Sequence, residues 1–328
     1  MKKIRTILAF LLCVFIAAGC LGCGETKKET ESSAVSDNTT RTDTEAITVT
    51  DDLGREVSFS DKPERAAALS ASFAETWLLA GGNLAAAVHD AWEDYDLDLT
   101  EDTVDVGTSM EVSLELLIAS RPDLVLASSK TKSQVEIRDT LEKAGIPVLY
   151  YNVDGFDDYL KMLEACTMLT GRPDLYEKNG IAVSDQIEKI REKARKAAEK
   201  QGEPSILLIR FAASGIRVKG SKGTVLGEML ADLYCENISD GSDLLDNLSL
   251  EKIIEADPDY IFMVQQGNDS EGAENLLNET LTGNPAWSRL TAVKEGRVYV
   301  MDRTLYHFKP NNRWDIAYEK LETLLYET

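Results

Sequence analysis

SLELLIASRPDLVLA (residues 113–127) and SLEKIIEADPDYIFM (residues 249–263) are one unit written twice in the chain. At a constant offset of 136 residues they share Ser, Leu, Glu, Ile, Pro and Asp, and several remaining positions are apolar in both. Ser113 and Ser249 are suited to capping a helix N-terminus. Glu115 and Glu251 fall in the first turn, where a carboxylate complements the helix dipole. Pro122 and Pro258 stop the helix, and the apolar runs Leu124–Ala127 and Tyr260–Val264 have the length of buried strands. A helix-turn-strand unit repeated at this distance predicts two lobes of similar build rather than a solenoid.

The surrounding sequence fits that reading. Short apolar runs alternate with helical stretches on both sides of residues 174–201, which predicts α/β lobes with parallel sheets. Ser72 and Glu75 have the spacing of a capping box opening a helix over Phe73–Ala80. Residues 174–201 form a charged stretch with one narrow apolar stripe, Tyr176, Val183, Ile187, Ile190 and Ala194 among it. At about 1.5 Å per residue it reaches roughly 40 Å, enough to bridge two lobes. The expected organisation is a signal peptide over 1–19, a lipidated Cys and tether over 20–46, an N-terminal lobe over 47–171, a bridging helix over 172–202 and a C-terminal lobe over 203–328.

Acidic residues outnumber basic ones 57 to 35, a formal charge of −22, which argues against nucleic-acid or anionic-membrane binding by general electrostatics. At the N-terminus Lys2, Lys3 and Arg5 precede an apolar run, Ile7–Ala18, too short to span a bilayer comfortably. It ends in IAAGC (16–20), which resembles a bacterial lipobox with Ala17 in place of the usual Leu; the resemblance makes Cys20 the acylated first residue. Residues 24–46 are polar and charged with no aromatic, the composition of a flexible tether. Cys166 and Cys235 sit in apolar contexts and read as buried thiols, with a disulfide left open.

Catalytic signatures are absent: there is no G-x-S-x-G, H-E-x-x-H or G-x-G-x-x-G. Gly215–Gly220 starts like a phosphate-binding loop, but Ser221 stands where Lys is required. Two histidines, His89 and His307, cannot build a three-His zinc site, and no resident metal or cofactor is expected. Residues 90–105 carry eight carboxylates and no Lys or Arg. Asp94, Asp96 and Asp98 alternate as in a calcium loop, but Leu99 replaces the turn Gly, so a solvated acidic loop is expected. Ligands of open parallel sheets gather at strand carboxyl ends. That rule selects Ser72, Phe73, Trp92, Ser129, Lys130 and Arg210. Near the C-terminus Tyr306, His307, Arg313 and Trp314 form a dense aromatic and cationic cluster suited to a planar or anionic ligand.

From Ile47 to Tyr326 the chain resembles substrate-binding proteins of the iron–siderophore, haem and cobalamin class of ABC importers. The matching phrases include ITVTDDLGREV (47–57), PERAAALS (63–70), VGT (106–108), both repeated units, NPAW (284–287) and VKEGRVYV (293–300). The resemblance implies two Rossmann-like lobes joined by one long helix, a ligand between them, and no catalysis. It implies an ABC permease with its ATPase as partner, docked by one surface Glu per lobe; the matching positions are Glu115 and Glu251. It also implies membrane attachment through Cys20, on the extracytoplasmic face. A ferric siderophore is the expected ligand, with haem or cobalamin as the alternative and a lipid-anchored enzyme or a zinc or manganese receptor behind. Ala71 replaces the usual Pro after the first strand, so the ligand loop there is expected to differ in shape.

Overall fold

The computed structural model describes residues 46–245 and 248–327; the signal peptide, Cys20 and nearly all of the tether lie outside them. An antiparallel hairpin, β1 (Ile47–Thr50) and β2 (Glu56–Phe59), opens the described chain. Its turn is organised by buried Asp51, whose carboxylate accepts from the Leu53 and Arg55 amides at 3.0 Å each and pairs with the Arg55 guanidinium at 2.7 Å.

The first sheet holds β3 (Ala66–Ala68), β4 (Leu84–Ala87), β5 (Val104–Asp105), β6 (Leu124–Ser128) and β7 (Val148–Tyr151), ordered β5-β4-β3-β6-β7 with every pairing parallel. The second holds β8 (Ser205–Ala212), β9 (Gly215–Lys219), β10 (Glu236–Asn237), β11 (Tyr260–Gln265) and β12 (Val298–Met301). Its path is β10-β8-β11-β12, parallel throughout, with β9 antiparallel to β8. Apart from the edge strand β5 and the hairpin strand β9, the two orders are the same, second-first-third-fourth. The lobes are therefore built alike, as the repeat predicts.

The repeat's conserved letters each have a structural task. Ser113 Oγ accepts from the Leu116 amide and Ser249 Oγ from the Lys252 amide, both at 3.4 Å, so both serines cap their helices, Leu114–Ala119 and Leu250–Ala256. The Asp after each Pro ties the unit to the first strand of its own sheet. Asp123 accepts from the Glu64 and Arg65 amides at 2.8 and 3.0 Å, just before β3. Asp259 accepts from the Ser205 amide at 2.9 Å and its hydroxyl at 2.7 Å, at the start of β8. The strands that follow, β6 and β11, are buried on both faces, which explains their unbroken apolar runs.

The bridging segment is helical from Pro173 to Gln201, with a π-helical turn at Glu177–Ile181 between α-helices Pro173–Tyr176 and Ala182–Gln201. Its buried stripe, Val183, Ile187, Ala194 and Ala198, follows the expected period. Gly180 lies where a Cβ would come 3.0 Å from Leu160, so the helix approaches the N-terminal lobe closely there. The C-terminal helix, Trp314–Tyr326, runs beside the bridging helix; Lys193 Nζ pairs with Glu322 at 2.7 Å. Its Trp314 ring meets Phe156 of the N-terminal lobe at 6.1 Å, while the Tyr260 hydroxyl of β11 donates to Leu325 O at 3.1 Å. One buried cluster runs through residues of both sheets and this helix. The lobes thus share a core along two helices.

Candidate functional site

The carboxyl end of β3 leads into the helix Ala71–Leu79. Its N-cap is Ser70, not Ser72, and Ala71 takes the first helical position. The capping-box reading is corrected accordingly. Ser72 sits inside the first turn, buried, its Oγ 3.0 Å from Ser70 Oγ. Glu75 turns away from the helix start and accepts from Asn311 Nδ2 at 2.5 Å. Asn311 is buried in the left-handed region (φ 53°), which Asn tolerates. It also donates to Ser72 O at 3.1 Å and accepts from Thr76 Oγ1 at 3.3 Å. Arg313 stands 3.8 Å from Glu75. Burial raises the Glu75 pKa, opposed by the Asn311 hydrogen bond and the Arg313 charge.

The acidic block 90–105 meets the same C-terminal segment rather than standing free in solvent. Tyr95 OH donates to Lys309 O at 3.2 Å and accepts from its amide at 3.0 Å, and Asp94 lies 4.0 Å from Arg303. Among the described residues no group of three or more His, Cys, Asp or Glu side chains could hold a metal ion. Cys166 and Cys235 are free thiols.

The β8–β9 hairpin carries a cationic wall. Arg210 of β8 is directly across from Arg217 of β9, and Leu208 from Lys219, so Arg210, Arg217 and Lys219 share one face of the hairpin. Burial lowers the Arg210 pKa; burial and then Arg210 and Arg217 lower that of Lys219. Lys309 is lowered by burial, against an opposing pull from Asp154 and with a further push from Arg210 and Lys130. Lys130 reaches Asp154 in an ion pair. His307 Nδ1 and Arg303 Nε are buried with no hydrogen-bond partner.

Burial, then the charges of Arg210, Lys309 and Arg303, pull His307 down to about 3. The imidazole is therefore neutral across the physiological range. Its folded pKa lies below the ordinary value of 6.5, so the unfolded chain takes up the proton first. Stability from this group is full above about pH 6.5 and is lost as pH falls towards 3. The His307 ring signal is expected not to titrate between pH 5 and 8 by NMR, and a midpoint inside that range would contradict the burial argument.

The expected ligand residues separate into two sets. Phe73, Tyr306 and Trp314 are 3%, 4% and 0% exposed. Phe73 packs edge-on against Tyr151 at 6.5 Å, and the Tyr306 hydroxyl donates to Ala317 O at 3.1 Å, so these rings are core and present no face to a cleft. Ser72 spends its polar atoms on Ser70, Thr76 and Asn311. Trp92, Ser129, Arg210, His307 and Arg313 are half-buried and Lys130 is exposed. Arg217, Lys219, Arg303 and Asn311 did not emerge from the strand-end rule. For Arg217 and Lys219 a signal existed: Ile216-Arg217-Val218-Lys219 alternates apolar and cationic, the pattern of a strand with one charged face.

Between the lobes, a cavity of about 430 Å³ is lined by Asp154, Asp157, Asp158, Arg191, Glu228 and Asp232, among others. Four of its carboxylates are already engaged: Asp154 with Lys130, Asp158 with the Gly155 amide, Glu228 with the Gly223 amide and Asp232 with the Tyr318 hydroxyl. Glu115 and Glu251 are exposed and make no hydrogen bond or ion pair among the described residues.

A family model described as periplasmic binding protein matches residues 67–305. The iron-uptake system-binding protein of Bacillus subtilis is 25% identical over 92% of this chain and 91% of its own length. The Fe(3+)-citrate-binding protein YfmC of the same organism is 24% identical over 92% and 90%. Among solved structures, Staphylococcus aureus SirA complexed with staphyloferrin B superposes with a TM-score of 0.66 at 21% identity, covering 86% of this chain and 97% of that one. Staphylococcus aureus IsdE complexed with heme gives 0.64 at 19%, covering 80% and 99%. The structural likenesses establish the fold, two α/β lobes of the class joined by one long helix.

Proposed function

The chain belongs to the periplasmic binding protein family, and on that premise we propose that it is the extracytoplasmic receptor of an ABC importer, capturing an iron complex between its lobes and handing it to a permease. The ligand in this reading is a ferric siderophore. The observation that carries it is a set of half-buried cationic side chains, foremost Arg210 of β8 and Lys309 of the segment after the helix Arg303–Tyr306, where the charges of Arg210 and of Lys130 from the other lobe both act on Lys309. Capture shifts the lobes towards a population that docks on the permease. The lobes are residues 47–171 and 203–328, hinged on 172–202, and Cys20 carries the lipid that holds the receptor at the membrane. No covalent step is assigned to any residue.

A second reading, a haem or cobalamin receptor, is supported by one observation. His307 keeps a neutral imidazole beside the cleft, and neutral imidazole is an iron ligand. A thermal-shift comparison separates the two. A ligand present at 100 times its Kd adds about 2.7 kcal/mol to the folded state, a clear rise in Tm. A rise with ferric siderophores and none with haem or cobalamin is expected. A rise with haem alone, or a red protein on purification, would transfer the assignment to the second reading.

A further inference from the structure

The β8–β9 hairpin carries an arrangement that an isolated protein would not favour. Arg210 and Arg217 are cross-strand partners, and Lys219 follows on the same face two residues on. Like charges directly opposite each other on a sheet are destabilising. Among the described residues none of these three side chains, nor that of Lys309, makes an ion pair or hydrogen bond. This occurs in a chain with 57 acidic and 35 basic residues, where a carboxylate is the commonest charged neighbour to be had. Surface lysines elsewhere do find acids, as Lys130 does with Asp154 and Lys252 with Asp243. The wall also holds two buried, unpartnered ring or guanidinium nitrogens, His307 Nδ1 and Arg303 Nε.

We propose that Arg210, Arg217, Lys219 and Lys309 form a subsite for a polycarboxylate ferric chelate, one that presents free carboxylate oxygens outside the iron's own coordination sphere. The inference rests on the iron-receptor reading and narrows it. Guanidinium groups pair with carboxylates in a two-point fork, and each such charge-assisted contact is about twice as strong as a neutral hydrogen bond. Neutral hydroxamate chelates offer these cations no charge to meet. Haem and aromatic catecholates need apolar or aromatic walls. The rings that sequence reasoning offered for that purpose, Phe73, Tyr306 and Trp314, are closed into the core. Trp92, Tyr95 and Phe308 are half-buried aromatics left nearby; the Tyr95 hydroxyl is taken by the Lys309 backbone and its ring packs on Phe308 at 5.5 Å, and Phe308 is already covered by the Arg303 guanidinium at 5.0 Å.

The test is titration calorimetry on the whole receptor with three probes: ferric citrate, a neutral ferric trihydroxamate, and haem. Wild type is expected to bind ferric citrate, with affinity falling as salt rises. Arg210→Gln is expected to weaken it about tenfold or more. The double substitution Arg217→Gln with Lys219→Gln should weaken it further and flatten the salt dependence. Lys200→Gln, on the far end of the bridging helix, removes the same charge elsewhere and serves as the net-charge control; Tm of each variant verifies folding. Arg210→Lys keeps the charge but loses the fork, and its affinity should fall between the two. If the trihydroxamate or haem binds while ferric citrate does not, the polycarboxylate assignment is overturned and the receptor reading stands. The same holds if Arg210→Gln and Lys200→Gln bind ferric citrate equally well. If no iron complex binds at all, both readings fall together.

Discussion

Cells that depend on this receptor are expected to lose iron-complex uptake when Glu115 and Glu251 are both replaced by alanine, while the purified double variant binds its ligand as wild type does. The two carboxylates occupy equivalent places in the repeated unit, in the first turn of a Ser-capped helix in each lobe. Both are exposed, and neither is committed to an internal partner among the described residues. A charge serving its own helix N-terminus contributes about 0.3–1 kcal/mol, so its loss is a small change in stability. A charge that pairs with an arginine on a partner and becomes buried there is worth about 2–5 kcal/mol when truncated. Two such losses together amount to about a thousandfold or more in docking affinity. The two roles therefore predict different results. If the glutamates only serve their helices, Tm falls slightly and uptake persists. If they dock, Tm is nearly unchanged and uptake collapses, with each single variant intermediate. Wild-type uptake by the double variant would remove the docking role.

The repeat was the most legible part of the chain because its letters do local work. The caps Ser113 and Ser249 act within one turn, and Asp123 and Asp259 fasten each unit to the first strand of its own sheet. Such contacts are short in space and recur at one offset, so pattern alone exposes them. The long helix was legible for the same reason, through its stripe. What sequence could not supply was the partner of each side chain across the lobes. Glu75 has correct capping-box spacing from Ser72, yet Asn311, more than two hundred residues later, takes its carboxylate. The acidic block 90–105 looked self-sufficient, but Tyr95 clasps the Lys309 backbone.

The aromatic cluster near the C-terminus shows the same limit from the other side. Composition made Trp314 a candidate ligand platform, because Trp beside Arg and Lys suits both stacking and packing. Its surroundings decide between them. Phe156 and Tyr318 stand 6.1 and 6.4 Å from its ring, and the side chain has no exposure. Strand β9 is legible in sequence as the apolar run Ile216–Val218, but nothing local says that Arg217 faces Arg210 across the hairpin.

Trp314→Ala is accordingly expected to lower stability heavily rather than to act on the ligand first. Removing a fully buried indole costs about 3–5 kcal/mol through lost burial and the cavity left behind. In a chain of this size that is a fall of about 5–15 °C in Tm. The loss is concentrated where the C-terminal helix touches the N-terminal lobe, so the contact that links the lobes beside the bridging helix weakens too. Trp314→Phe separates packing from recognition. The indole Nε1 has no hydrogen-bond partner, so giving it up leaves no acceptor unsatisfied. Phe retains a ring against Phe156 and Tyr318 and should restore more than half of the lost stability, with ligand affinity unchanged. A stacking role in the cleft predicts the opposite pair of results, near-normal Tm in both variants and affinity that falls with ring size. Calorimetric melting and ligand titration of the two variants side by side decide it, because core and cleft roles for Trp314 cannot both give a stable, weakly binding alanine variant.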